Sequence, residues 1–353
     1  MGYKTGVNDQ DDHSPEEFPH QQGLPDDLDS PDAPDIHPDA TDGDSPDSGH
    51  LPVLVEPLRE VLSLRPGLTM LDCTLGRGGH ASIFAPLLAP GGRYIGLDVD
   101  PENLAYATQR VTSQLPEGVR FDAVRSNFAH APQALASIGV EKVDILLADI
   151  GFASNQMDDP RRGFSFAADG PLDMRMDPDL PQSAADLVNH LPERELADLI
   201  YQLGEERLSR KIARKIVEER KREPINSTGK LANIVRHAYG PAGLRKSGKG
   251  QGRPIHPATR TFMALRIAVN GELEALDQLL ADVPGLLNPQ GIAAIISFHS
   301  LEDRRVKQSF LALQQAGKAE RLTRKPLVAS DEEMRTNPRS RSAKLRAIRL
   351  IEA

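Results

Sequence analysis

The chain has 353 residues, 39% hydrophobic and 26% charged, which is enough to bury a core, and no run of about 18 apolar residues that would span a membrane. Its net charge of −9 is unevenly spread: residues 1–49 carry −13 and the body from residue 50 onward carries +4, a balance that permits a polyanionic partner without demanding one. A single cysteine, Cys73, excludes an internal disulfide and a multi-cysteine zinc site, and with no leader of basic then apolar residues a reducing, cytoplasmic setting is expected.

Taken in chain order, residues 1–49 are rich in aspartate and proline and poor in large apolar residues. They cannot bury enough surface to offset their ordering entropy, so a disordered acidic tail is expected. From Leu51 an α/β pattern begins. LREVLSL reads as a helix and GLTMLDCT as a strand; a glycine loop and a helix through Leu88 follow, with Pro86 expected to kink or shorten that helix. GGRYIGLDVD is a turn and a second strand ending at Asp98, and PENLAYATQRVTSQL is a helix opened by proline. VRFDAVRSNF and VDILLADIGF read as third and fourth strands, each followed by a loop.

Between Asp158 and about Pro254 the pattern is helices and loops without a convincing strand. In residues 205–222 Leu208, Ile212 and Ile216 line one face beside a basic row of Arg207, Lys211 and Lys215, and residues 243–254 are glycine-rich and basic. After His256 one long amphipathic helix is expected, with Phe262, Leu265, Val269, Leu273, Leu276 and Leu280 on its apolar face, then the buried strand GIAAIISFHS. Strands alternating with helices imply a doubly wound parallel sheet. The organisation expected is a tail at 1–49, a sheet domain over 50–157 and 256–353, and an inserted helical domain at 158–255.

The loop TLGRGGH raises the question of its ligand. Gly76, Gly78 and Ala81 satisfy the dinucleotide spacing, and Asp98 lies 22 residues beyond Gly76, where an acid meets a ribose hydroxyl. Alone the match is weak, since a glycine turn can simply pack a strand on a helix. S-adenosylmethionine (SAM) is favoured over NAD because Asp72 sits where a carboxylate attracts an ammonium, whereas a pyrophosphate gains nothing from negative charge there. Asp149 ends the fourth strand, on the edge where such a sheet holds its ligand. His80 is expected to contribute backbone only, and His299 at the end of the last strand is as easily an ordinary satisfied histidine as a site residue. No metal ligand is assigned.

Six segments in order, TLGRGGH, DDPRRGFSFAADGPLDMRMD, GEERLSRKIARKIVEER, HPATRTFMALRI, SFHSLEDRRVK and NPRSRSAKLR, closely resemble the RsmH (MraW) family of 16S rRNA cytosine-N4 methyltransferases, over roughly residues 50–350. The resemblance implies a class I SAM-dependent methyltransferase of Rossmann-like fold with an inserted helical domain for substrate recognition. It implies cofactor contacts at Gly78, Gly79, His80, Asp98, Phe128, Asp149 and Gln156, and as partner the 16S rRNA of the small ribosomal subunit; it leaves oligomeric state open. This chain departs from the family pattern at Phe152, Ala153 and Met263, which puts a hydroxyl at 153 and an amide at 263 in doubt.

Attack by an exocyclic amine on a sulfonium methyl needs positioning and a proton acceptor, for which Asp149 is the candidate, but no protein nucleophile. Cys73, beside the charge of Asp72, reads as packing. Phe152, Phe164, Phe166, Phe262 and Phe298 could stack on a base, although core packing suits most of them. Helix 207–222, the basic residues Arg245, Lys246, Lys249 and Arg253, and Arg339, Arg341, Lys344 and Arg346 are candidate phosphate contacts. Two rival readings are an NAD-dependent oxidoreductase, which Asp72 and the motif set disfavour, and a non-catalytic RNA-binding assembly factor, which the intact cofactor set disfavours.

Overall fold

The computed structural model describes residues 51–244 and 256–351; the acidic tail and most of the basic stretch at 243–254, with Arg245, Lys246, Lys249 and Arg253, lie outside them. Helix α1 (Val55–Leu62) leads into strand β1 (Thr69–Asp72) and helix α2 (Gly79–Phe84). Pro86, which has no N–H to give, then turns the chain into a 3₁₀ segment at Ala85–Leu88. Next come β2 (Arg93–Asp98), α3 (Pro101–Thr112), β3 (Arg120–Arg125), α4 (Ala131–Ser137) and β4 (Val143–Asp149). Helix α4 stands where a plain loop is expected after the third strand.

A short helix α5 (Ser154–Asp158) begins the helical stretch, followed by α6 (Ala184–His190), α7 (Glu193–Gly204), α8 (Ser209–Arg220) and α9 (Thr228–Leu244), the last kinked at Gly240. The single long helix expected after His256 is two helices, α10 (Thr259–Asn270) and α11 (Glu272–Leu286). They break at Gly271, whose φ of 58° is left-handed and closes α10 as a C-cap. The chain ends with β5 (Leu287–Ser297), α12 (Ser300–Gln315), β6 (Ala319–Arg321), α13 (Asp331–Thr336) and β7 (Lys344–Leu350).

The seven strands form one sheet in the order β3-β2-β1-β4-β5-β7-β6. β1 to β5 pair in parallel, while β7 runs antiparallel to β5 and β6 antiparallel to β7, so the sheet is mixed rather than wholly parallel. The two-residue alternation of strand side chains splits its faces cleanly. Leu146 and Ala148 of β4 join a core with Leu276, Leu279 and Val283 of α11 and Phe310 of α12. Ile145 and Leu147 face the other way, onto Leu58 and Leu62 of α1, Phe84 of α2 and Val111 of α3. Both faces are thus covered by helices, as in a Rossmann-like doubly wound fold.

The helices between β4 and β5 have their own apolar core, built on Leu196 and Ile200 of α7, Ile212 and Ile216 of α8, and Leu231 and Val235 of α9. Ala258, Phe262 and Leu265 belong to it as well, so helical packing continues past residue 255, through α10. No strand is found between β4 and β5 among the described residues.

Candidate functional site

The carboxyl ends of β1, β2 and β4 meet at one edge, and the glycine loop of 74–79 crosses it. Gly76 and Gly78 have φ of 52° and 74°, values that suit glycine, and Gly78 caps α2. Helix α3 presses on the loop from below: a Cβ at Gly78 would meet Val111 Cγ2 at 3.0 Å and Ala107 Cβ at 3.3 Å. The glycine therefore serves helix packing as well as an open backbone. Gly78→Val is expected to lower the melting temperature by several degrees and to weaken cofactor binding in parallel, because both the left-handed backbone and the α3 contact are lost. A melt and a calorimetric titration check it; a normal melt with lost binding would show that the bare backbone matters for the ligand alone.

Asp98 ends β2 with one oxygen on the glycine loop and the other on the turn that follows β2. Its Oδ2 accepts the N–H of Gly76 at 2.8 Å and its Oδ1 accepts the N–H of Asp100 at 2.8 Å. Burial pushes its carboxyl up to about 6, although the two amides oppose the shift. Each oxygen keeps lone-pair capacity, so a pair of vicinal hydroxyls can still be received.

Asp149 ends β4. Its backbone N–H donates to Thr74 Oγ1 at 2.7 Å, which ties β4 to the loop. Its Oδ2 lies 3.8 Å from His80 Nδ1, and its Oδ1 is buried with no hydrogen-bond partner. Burial raises this carboxyl to about 6; His80 pulls it down, and the charges of Asp72 and Glu302 push it further up. A buried acceptor without a donor suits a cationic or N–H-bearing ligand at this edge.

His80 has its ring buried, with Nε2 2.9 Å from the carbonyl of Val53 and the imidazole stacked on Phe84. What it offers the edge is its main-chain amide in the first turn of α2. Asp72, expected to face an ammonium, is instead almost fully buried. Tyr94 Oη donates to its Oδ2 at 2.8 Å, and the N–H of Thr74 donates to Oδ1 at 3.0 Å. Asp72 braces the start of the loop, and Asp149 is the carboxylate with an uncommitted oxygen.

Phe128 lies in a 3₁₀ turn after β3, half-buried against the core that α11 covers. The turn begins beside Asp98, whose carbonyl accepts the N–H of Ser126 at 3.0 Å. Gln156 is buried in the segment that follows β4. Its Oε1 accepts the N–H of Ala153 at 3.0 Å, and its Nε2 donates to Asp100 Oδ2 at 2.9 Å. The amide is thus engaged within the protein at both ends. Arg162 also donates to Asp100 Oδ2, at 2.8 Å, and Asn155 Nδ2 donates to Asn103 Oδ1 at 3.0 Å. Gln156, Arg162 and Asn155 lash a strap over residues 153–162 to the start of α3, and Arg339 adds a pair with Asp158 at 3.0 Å. The strap was not readable from local sequence, because each tie joins residues more than fifty positions apart.

At the positions that depart from the family pattern, local packing has taken over. Ala153 takes part through its backbone alone: its N–H donates to Gln156 Oε1 and its carbonyl accepts the N–H of Gln156 at 2.9 Å. Met263 sits in a small apolar cluster with Ile267, Leu273 and Leu301, where its thioether packs. Phe152 stacks on Phe164 at 5.4 Å and carries the Arg266 guanidinium 4.8 Å above its ring. Phe166 packs edge-on to Phe262.

The candidate phosphate contacts divide. Lys215 of the basic row pairs with Glu218 and Glu219, and nearby Arg214 pairs with Glu193 and Arg222, just beyond α8, with Glu219, so part of the positive charge around α8 is neutralised locally. Arg346 does not face a partner: it is buried on β7 in a two-pronged pair with Asp303, at 2.6 and 3.0 Å. Residues 345–348 of β7 are all buried, Leu345 and Ala347 in one core and Ile348 in the other, and the charge of Arg346 in this run is balanced by the acid of α12.

A family model described as the MraW methylase family matches residues 47–351. Among curated relatives, the proteins named Ribosomal RNA small subunit methyltransferase H are similar over most of their length. That of Synechococcus sp. (strain CC9311) is 49% identical over 306 residues, covering 85% of this chain and 93% of that protein. That of Heliobacterium modesticaldum is 46% identical, covering 86% and 98%, and that of Brevibacillus brevis 42%, covering 84% and 96%.

Proposed function

The chain belongs to the MraW methylase family, and from that premise we propose that it methylates N4 of a cytosine in the decoding region of 16S rRNA, within the small ribosomal subunit, by direct in-line transfer. Its methyl donor is S-adenosylmethionine. What carries the reading is the convergence of the open glycine loop, Asp98 and Asp149 on one sheet edge, with an Asp149 oxygen left for a donor. The donor supplies an activated methyl on a sulfonium; the residues of this chain position the reactants and take the proton. Asp98 holds the ribose hydroxyls, the backbone of Gly78, Gly79 and His80 lines the donor, and the strap closed by Gln156 keeps water from the edge. Phe128, beside Asp98, flanks the adenine.

Cytosine N4 is a poor nucleophile because its lone pair is delocalised into the ring. Asp149 accepts one N4 hydrogen, localises that pair, and takes the proton as the N–C bond forms and the C–S bond breaks. The helical layer of α6 to α10 receives the RNA and admits the extruded base. No protein nucleophile is used. Cys73 is buried, and burial, with Asp72 beside it, pushes its thiol well above the usual range. No helix among the described residues is long and apolar enough to cross a membrane, in keeping with a cytoplasmic enzyme acting on ribosomal subunits.

Cys73→Ala is expected to keep most of the activity. Nucleoside mass spectrometry of small-subunit rRNA treated with the protein should show N4-methylcytidine. 5-Methylcytidine as the product, or a Cys73→Ala variant that binds the donor but is inactive, would overturn direct attack.

A further inference from the structure

A second cluster of ligating side chains lies where the helical layer meets the end of β5. Glu272 opens α11, His299 follows β5, and Glu302 lies in the first turn of α12. One carboxylate oxygen or ring nitrogen from each lies within 4.8 Å of the other two. All three residues are buried, at 6%, 1% and 1% exposure.

The hydrogen bonding of this cluster is incomplete. Glu302 Oε2 accepts the backbone N–H of Phe298 at 2.8 Å and of His299 at 3.3 Å, while Oε1 has no hydrogen-bond partner. Oε1 lies 3.0 Å from His299 Nε2, at ion-pair distance, and neither ring nitrogen of His299 has a hydrogen-bond partner. Buried polar atoms are almost always paired, so Glu302 Oε1 and the His299 Nε2 beside it call for a common partner; one ion can meet only one of the two ring nitrogens. Two ligand atoms this close match adjacent corners of a coordination shell. Bonds of about 2.1 Å put such corners about 3.0 Å apart in an octahedral shell, as for manganese, and about 3.4 Å apart in the tetrahedral shell of zinc.

The surroundings complete a ligand shell. Arg266 grips Glu272 with both prongs, Nε to Oε1 at 2.8 Å and Nη2 to Oε2 at 2.9 Å, and fixes its orientation. Each Glu272 oxygen keeps a lone pair for another partner. With a neutral imidazole, Arg266 offsets only one of the two carboxylates, and the cluster retains a negative charge that attracts a cation.

We propose that Glu272, His299 and Glu302 bind one divalent transition-metal ion, manganese or zinc, which clasps the break between α10 and α11 to the turn between β5 and α12. One imidazole with two carboxylates suits these ions better than magnesium or calcium, which prefer oxygen alone. The clasp is reinforced by Ser300 Oγ, which donates to Glu205 Oε2 at 2.7 Å across the same seam. It bears on the strap through Arg266, which covers Phe152. None of the three residues is assigned to the methyl donor, and the charge of Glu302 reaches the methyl-transfer edge only through its effect on Asp149.

The test uses the full chain, stripped with a chelator and then titrated with Mn²⁺ or Zn²⁺. Elemental analysis after desalting should find about one equivalent retained, and the melting temperature should rise by several degrees. The Mn²⁺-loaded protein should show coupling to one imidazole nitrogen in pulsed electron paramagnetic resonance. His299→Ala should lose that coupling, and Glu302→Gln should weaken retention by about tenfold or more. If a variant no longer melts cooperatively, the wild-type spectrum decides. Stripped wild-type protein that retains neither ion and melts unchanged in their presence would overturn the site, leaving an imidazolium on Glu302. Retention and coupling that persist in a folded His299→Ala would overturn it as well.

Discussion

Asp98→Ala is expected to remove measurable binding of S-adenosylmethionine. Two ribose hydroxyls on one carboxylate contribute about 1.5–3 kcal/mol each, so the loss is on the order of a hundredfold to ten-thousandfold in affinity. The carboxyl also organises the loop by accepting the N–H groups of Gly76 and Asp100, so the variant must be shown to melt cooperatively. The wild-type protein offers a second check through pH. Asp98 is raised to about 6, and only its ionised form accepts both hydroxyls. Affinity should be flat above about pH 7 and fall by about tenfold at pH 5, as the ionised fraction drops to about a tenth. The stability of the cofactor-free protein runs the other way. A carboxyl raised on folding contributes stability that is full below its unfolded value and is lost as pH rises through about 6. Binding that is unchanged in Asp98→Ala would remove Asp98 from the site.

The second large effect is expected at Asp149. Asp149→Asn keeps the shape but loses the charge and half of the acceptor capacity. Turnover at saturating donor should fall by about 10²–10⁴, the usual worth of a positioned general base, while donor affinity changes only a few-fold. The physical basis is an oxygen buried without a donor and a carboxyl raised to about 6, close to the working pH. If donor affinity collapses and turnover at saturation survives, Asp149 is the partner of the donor's ammonium and the proton leaves elsewhere. Calorimetry and single-turnover methylation, measured on the same preparation, separate the two outcomes.

The α/β half of the fold was legible because its signals are local. The run VDILLAD alternates between two cores, the proline before ENLAYA starts a helix, and Gly76 and Gly78 of the loop stand at positive φ. The expected loop after the third strand hid α4, whose Ala-Pro start and short length leave little periodic pattern. Gly271 lies inside an unbroken apolar periodicity, and its role as a helix end shows only in its left-handed φ. The antiparallel β7 was missed because its buried positions include an arginine, tolerable only opposite Asp303. Asp98 and Asp149 could be proposed from strand ends alone. The bracing of Asp72 by Tyr94, the strap on Asp100 and the unpaired ring of His299 depend on partners distant in sequence, and no local pattern encodes them.

The separation of β4 from β5 has a consequence for how the chain is made. These two strands are central neighbours, yet residues 150–286 lie between them. A ribosome adding about 5–20 residues per second needs roughly seven to twenty-seven seconds to cross that interval. During it β1 to β4 can already pair, while β4 presents a bare edge of Ile145, Leu146 and Leu147, an aggregation hazard of the kind open edges pose. Helices α6 to α10 have a core of their own and can collapse as they emerge, which shortens the effective loop that β5 must close. The insertion therefore acts during synthesis as a spacer that folds in transit, and substitutions in its core, such as Ile212→Ala, should depress the yield of soluble protein more than the stability of molecules already folded.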